Sequence, residues 1–295
     1  MPSHRNAYPK IVASLALAAA APILLSAPAA LHAQPSAVPA GFTSMFDGKT
    51  LKGWRGDQTL WSVRDGVITG GTDKPVEANT FLIFDKPYGD FEIRFKYRWL
   101  SPEGNSGLQF RSGQVEGNYV MTGYQANVTP TNVPPERFGM LYNEIADRQE
   151  LALLGQKAEI TRRSANGAGT GRVVRTVTEM VNPRSAILAS IRPNPEWNEV
   201  VVVAYGNRMV SAINGLLAFD CTDKDPVGHQ SGLFGLQLHK GPATWVQYKD
   251  IVIRPLTAAP KFEGRFISSP SAAPAPTRTY KDSTKAALPD VALPD

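Results

Sequence analysis

Cysteine is almost absent from this chain: Cys221 is the single one among 295 residues. No intramolecular disulfide can form, and zinc ribbons and CxxC redox motifs, which need paired cysteines, are excluded with it. Histidine is scarce too, with four in all. Charge is nearly balanced, at 31 Lys plus Arg against 26 Asp plus Glu, for a formal net charge of +5. The basic residues form no cluster, which argues against nucleic acid as a partner. Long helical periods are also missing. Gly (25) and Pro (24) are frequent instead, and they favour turns and short strands. A hydrophobic fraction of 42% with 19% charged residues is that of a globular chain.

The two ends differ from the rest. Residues 1–33 read as a secretory signal. His4, Arg5 and Lys10 make a positive start, Ile11 to Leu31 carries no charge, and Leu31-His32-Ala33 forms a cleavage site before Gln34. The run is long enough to span a membrane, so an anchor is the competing reading. Its Ala-rich composition and its breaks at Pro22 and Pro28 favour cleavage, and no stable membrane insertion is expected. No cysteine lies near it to carry a lipid. A periplasmic or secreted protein follows. Loss of this acid-free segment lowers the net charge from +5 to +3 and leaves His229 and His239 as the histidines of the mature chain. Residues 34–40 read as a linker. Residues 257–295 are rich in Ala, Pro, Ser and Thr and end in a repeated Ala-Leu-Pro-Asp. They read as a disordered tail, dispensable for folding. The fold is then one domain over 41–256.

Within it, Phe91-Glu-Ile-Arg-Phe-Lys-Tyr-Arg-Trp99 alternates apolar and charged residues without a miss, the period of a strand with one buried face. Trp61–Val63 and Val67–Thr69 flank Arg64-Asp65-Gly66, a hairpin signal. Strands are expected at 81–84, 107–111 and 119–128. Others follow at 199–205 and 209–213 about a Gly206-Asn207 turn, then at 218–221, 233–238 and 244–253. Residues 185–191 give the best helical signal, and it is short. Many short strands with turn chemistry between them predict an all-β fold, a two-sheet sandwich or jelly roll.

Strand parity sorts the polar residues. Leu108 and Phe110 point inward, so Gln109 and Arg111 point out. Gln125 shares a face with Asn127, Gln237 with His239, and Tyr142 with Glu144. On one sheet these faces would assemble a site of Arg, Gln, Tyr, Glu and His. Each taken alone reads as a solvated strand face. Asp223-Lys-Asp225-Pro226 could hold a cation or form a turn with local hydrogen bonds. Gly167-Ala-Gly169-Thr-Gly171 lacks the Lys of a P-loop and reads as a loop. Asn127-Val-Thr129 matches a glycosylation sequon. Arg94, Lys96 and Arg98 put three cations on one strand face, suited to an anionic ligand or to solvent.

Taken in order, several motifs resemble those of the 3-keto-disaccharide hydrolase domain family. They are the opening Gly41-Phe-Thr-Ser-Met-Phe46-Asp47-Gly48 through Gly53-Trp54, then Trp61-Ser-Val-Arg-Asp65-Gly66 and Asp90-Phe91-Glu92. After these come Asn105-Ser106-Gly107-Leu-Gln-Phe110-Arg111, Gly123-Tyr124-Gln125, Trp197-Asn198-Glu199, Ile213-Asn214-Gly215 and Leu236-Gln237-Leu238-His239. The resemblance covers roughly 41–256 and rests on order and spacing. It implies a concanavalin-like β-sandwich and, typically, an exported protein.

The activity it implies is cleavage of 3-keto-glycosides by elimination and hydration. A ketone at C3 acidifies the C2 proton; a base removes it, and the enolate expels the aglycone from C1. Water then adds back, for net hydrolysis. This needs a base, a group that stabilises the enolate oxygen, and an acid for the leaving group, but not the carboxylate pair of an ordinary glycosidase. On the matching positions, Glu144 or His239 is the base and the other the acid. Arg111 and Gln125 bind the ketone or hydroxyls, a divalent metal being the alternative to Arg111. Tyr124, Tyr142, Gln237 and Asn105 shape the pocket. Trp54 and Trp61 read as core. Relatives sharing Gly-Tyr-Gln often carry an acid two residues on, where this chain has Asn127. The competing reading is a carbohydrate-binding module of the same fold without catalysis.

Overall fold

Side-chain alternation along Phe91–Trp99 becomes a strand at the bounds expected. Phe91, Ile93, Phe95, Tyr97 and Trp99 are buried, and burying such side chains contributes about 1.5–3 kcal/mol each. The computed structural model describes residues 37–130, 137–144, 148–163, 171–272 and 278–279. The expected leader, residues 34–36 of the linker, 167–170 of the Gly-rich stretch, and 273–277 and 280–295 of the expected tail lie outside these.

Among the described residues the strands form two sheets, of twelve and of seven. The expected two-sheet sandwich is the architecture found. The main path of the larger sheet runs Ser271–Ala272, Arg172–Met180, Gln156–Arg163, Leu216–Asp223, Arg208–Ile213, Asn198–Tyr205, Phe91–Trp99, Thr244–Pro255, Val67–Thr72, Trp61–Arg64. The smaller runs Gln149–Ala152, Leu141–Glu144, Met121–Val128, Ser106–Gln114, Gly232–Leu238, Thr80–Tyr88, Trp54–Arg55. The helix found is short, Arg184–Ala189.

Turn chemistry sets the registers. Arg64 pairs with Val67 across Asp65-Gly66, both with positive φ, the backbone a two-residue hairpin requires. Tyr205 pairs with Arg208 across Gly206-Asn207. The main core draws Leu108, Phe110, Tyr124, Ala126 and Leu141 from the seven-stranded sheet onto Phe95, Tyr97 and Trp99 of the other. Trp54 and Trp61 are buried in it as expected. Phe81, Ile83 and Met121 form a separate cluster. The seven-stranded sheet therefore has an inner face toward the core and an outer face bearing the alternate residues.

Two expectations change here. The tail was expected to be disordered from 257, yet residues 257–272 are described and return along the larger sheet. Leu217 N donates to Ile267 O at 2.9 Å, Asn182 Nδ2 to Ile267 O at 2.9 Å, and Ser271–Ala272 adds a strand beside Arg172–Met180. Composition hid this because docking rests on backbone hydrogen bonds and on a few side chains such as Arg265. Arg111 also moves. The pairing slips between Phe110 and Gly113, and Arg111 has φ 46°, so the bulge breaks the alternation that had placed it with Gln109. Its guanidinium donates to Gly89 O at 2.9 Å, Gly206 O at 2.6 Å and Asp90 Oδ1 at 2.8 Å. Arg111 is a fully buried clamp between turns of both sheets. Burial lowers its pKa, with Asp90 acting against that shift.

Candidate functional site

The outer face of the seven-stranded sheet carries a polar cluster. Register places Gln109 opposite Gln125, Gln125 opposite Tyr142, Gly107 opposite Asn127, and Gly123 opposite Glu144. Gln125 donates through Nε2 to Asn127 Oδ1 at 2.7 Å and to Gln237 Oε1 at 3.1 Å. That reach passes over Gly107, where a Cβ would stand 2.7 Å from Gln125 Cγ. Glycine is needed there for room. Asn127 is buried and hydrogen-bonded within the cluster, so the sequon reading is corrected.

Gln109, Gln125 and Gln237 are at most 1% exposed. Yet both amide atoms of Gln109, Gln125 Oε1, Gln237 Nε2 and Asn105 Oδ1 complete no hydrogen bond. An unpaired buried polar group costs about 1–3 kcal/mol. Five such atoms on one face mark a surface built to be completed by a polar ligand or by water.

Glu144 lies at the edge of this cluster and is 7% exposed. Desolvation pushes its carboxyl pKa up. The Asn79 hydrogen bond and the His239 charge pull against that, and the net shift is upward. Asn79 Nδ2 donates to Glu144 Oε1 at 2.8 Å, and Asn79 Oδ1 accepts from Lys240 N at 2.8 Å. Asn79 thus ties the carboxylate to the segment carrying His239. Gln237 Nε2 approaches Glu144 but completes no hydrogen bond. The half-buried His239 places Nδ1 2.6 Å from Lys240 O. A carbonyl only accepts, so Nδ1 carries a proton and Nε2 is left for chemistry. Burial, and then the Glu144 charge, raise the Tyr142 pKa.

The structure therefore brings Glu144, His239, Gln125, Gln237 and Tyr142 to one region, with Asn105 at the start of the adjoining strand. Tyr124 is not among them. Its parity is opposite to Gln125, and its ring is in the main core. Its hydroxyl donates to Asp223 Oδ2 and accepts from His229 N at 3.2 Å. Asp223 and Asp225, read as a possible cation site, are held instead by arginines. Arg148 pairs with Asp223, and Arg162 Nη2 lies 3.0 Å from Asp225 Oδ2. Two residues of the cluster escaped selection from sequence. Parity marked Gln109 as outward without singling it out. Asn79 lies in an irregular stretch before a strand, where no period carries a signal.

As for a divalent metal, among the described residues no group of three or more His, Cys, Asp or Glu could hold one. Amide oxygens can coordinate a hard cation, but Glu144 is the single carboxylate of this cluster to balance its charge. Among the described residues no helix is long and apolar enough to cross a membrane.

The chain is thus an all-β sandwich whose candidate site is a buried amide and carboxylate cluster on the outer face of one sheet. It belongs to the family of 3-keto-alpha-glucoside-1,2-lyase-like domains, whose pattern it matches over residues 41–254. A 3-keto-disaccharide hydrolase of Bacteroides thetaiotaomicron is 27% identical over 188 residues, 59% of this chain; the match spans 56%, or about half, of that relative's length. Among solved structures, a candidate glycosyl hydrolase of Parabacteroides distasonis is 18% identical with a TM-score of 0.48, over 73% of this chain and 94% of that one. A carbohydrate-binding module of Bacillus subtilis is 17% identical with a TM-score of 0.43, over 68% and 95%.

Proposed function

We propose that this protein is an exported enzyme that cleaves 3-keto-glycosides by elimination and hydration. Family membership over residues 41–254 supports the substrate class, and the residue 1–33 pattern supports export. The observation that carries the chemistry is Glu144. It is a desolvated carboxylate with a raised pKa, set beside His239 and a bank of unpaired amides.

Desolvation makes Glu144 a stronger base than a surface carboxylate, because its charged form is solvated less. Asn79 holds the ionised form in place. Glu144 removes the C2 proton. Amide donors without a protein partner, Gln109 Nε2 and Gln237 Nε2, receive the enolate oxygen as charge develops on it. His239, as the imidazolium with a proton on each ring nitrogen, gives the Nε2 proton to the departing oxygen at C1. Water then adds to C1 of the glucal as Nε2 takes up its proton, and the Glu144 carboxyl returns a proton to C2. Gln125 and Asn105 accept from sugar hydroxyls.

Turnover of a 3-keto-glucoside in heavy water tests this. Deuterium at C2 of the released 3-keto-glucose, above the unaided exchange measured without enzyme, is the expected result. Product without C2 deuterium would mean direct displacement at C1. Binding of the sugar with no product would mean the amide cluster serves a binding module.

A further inference from the structure

The outer face of the twelve-stranded sheet carries a second charged site, unconnected with the sugar chemistry. A cavity of about 490 Å³ is lined by Arg94, Arg254, Lys261 and Arg265 together with the chain from Pro255 to Pro260. Beneath these cations lies Glu92, fully buried. Its Oε1 accepts from Arg94 Nε at 2.9 Å and is paired with Arg265. Its Oε2 accepts from Arg254 Nε at 3.1 Å and Nη2 at 2.7 Å. One carboxylate is therefore shared by three guanidiniums. Each guanidinium has five N–H donors, and among the described residues those left over meet no other acceptor. Lys261 adds an ammonium with no ion-pair partner there.

The cations are also held in position. Arg94 and Arg254 lie over the Phe42 ring, at 4.7 and 4.9 Å from its centroid. Arg265 lies over the Phe266 ring at 5.0 Å. Three held guanidiniums and the Lys261 ammonium around a cavity, against the one buried carboxylate beneath them, make a field that concentrates anions. Planar guanidiniums with spare donors match the paired oxygens of a tetrahedral oxyanion.

We propose that this cavity is a binding site for a tetrahedral oxyanion of the phosphate type, free or as a sugar ester. The C-terminal segment, by bringing Lys261 and Arg265 over the sheet, completes it. Neither Glu144 nor His239 takes part, so this proposal and the proposed catalysis stand or fall separately.

The test is calorimetric titration of the whole protein with inorganic phosphate and with glucose 6-phosphate, against sodium chloride at matched ionic strength. Saturable binding of either phosphate, absent for chloride, is expected. Binding of both means that the free anion suffices; binding of glucose 6-phosphate alone means that an ester is required. Lys261→Gln lies outside the Glu92 pairs, so its fold should be intact by circular dichroism. Its affinity should fall about fivefold, the range of an exposed charge pair. Arg94→Gln should lose about tenfold, as for a charge-assisted hydrogen bond. No saturable binding, or affinity unchanged in both variants, would overturn the proposal.

Discussion

Glu92 and Glu144 are both buried carboxylates on strands of the same sandwich, and their environments drive them in opposite directions. Burial alone would raise both. At Glu92, hydrogen bonds and charge from Arg265, Arg254 and Arg94 outweigh desolvation, and its pKa is lowered. At Glu144 desolvation prevails over the Asn79 amide, the His239 charge and the smaller opposition of Gln237 and Arg137, so its pKa is raised. The number of cations around each carboxylate decides the outcome. Glu92 is locked as an anion and holds structure together. Glu144 is free to exchange a proton.

The sharpest break in that comparison is Glu92→Leu. It leaves three arginines facing one another without their carboxylate, and stability should fall by about 3 kcal/mol, read from denaturant unfolding. Glu144→Gln should do the reverse. Turnover should drop about a hundredfold or more, while stability near neutral pH holds or rises by up to about 1 kcal/mol. A drop in stability like that at Glu92 would erase the distinction between them.

Ending the chain at Leu256 probes the Glu92 side more gently. It removes Arg265 from Glu92 and the hydrogen bonds at Ile267. A loss of about 1–2 kcal/mol is expected from a few such bonds, read as a fall in Tm. An unchanged Tm would restore the reading of a dispensable tail.

Titration separates the two carboxylates further. The lowered Glu92 pKa stabilises the fold above the unfolded carboxylate range, and that contribution is lost as pH falls through the folded value. The raised Glu144 pKa has the opposite sign, so the fold gains relative stability as pH falls through it. Tm measured against pH for wild type and Glu144→Gln should converge on the acid side. The smallest effect is expected from Asn79→Leu. Loss of its hydrogen bond should raise the Glu144 pKa further and move the acid limb of the pH–rate profile upward, with little change in Tm.

Local signals made much of this legible. Alternation placed the 91–99 strand to the residue, and turn residues placed the hairpins at Asp65-Gly66 and Gly206-Asn207. Parity put Gln109 outward and Gln125 beside Asn127, because strand period is a property of the covalent chain; the register between the two strands joined them. The less regular stretch between 141 and 180 hid four strands, since their alternation is interrupted by register shifts and loops.

Sequence by itself determined the class of fold, the family and which amides share a face within a strand, since each depends on residues near one another or on their order. Tertiary structure alone decided which charges meet. A bulge at Arg111 reversed a side chain that parity had sent outward, and so turned an expected site residue into a clamp. Arg148 and Arg162 claimed the Asp223 and Asp225 carboxylates from elsewhere in the chain. Asn79 reached Glu144 from 65 residues away, and Arg265 came back to Glu92 from the tail. Whether a buried carboxylate is held ionised or left to take up a proton depends on partners brought by the fold, and electrostatic interaction depends on distance in space, which the order of residues does not contain.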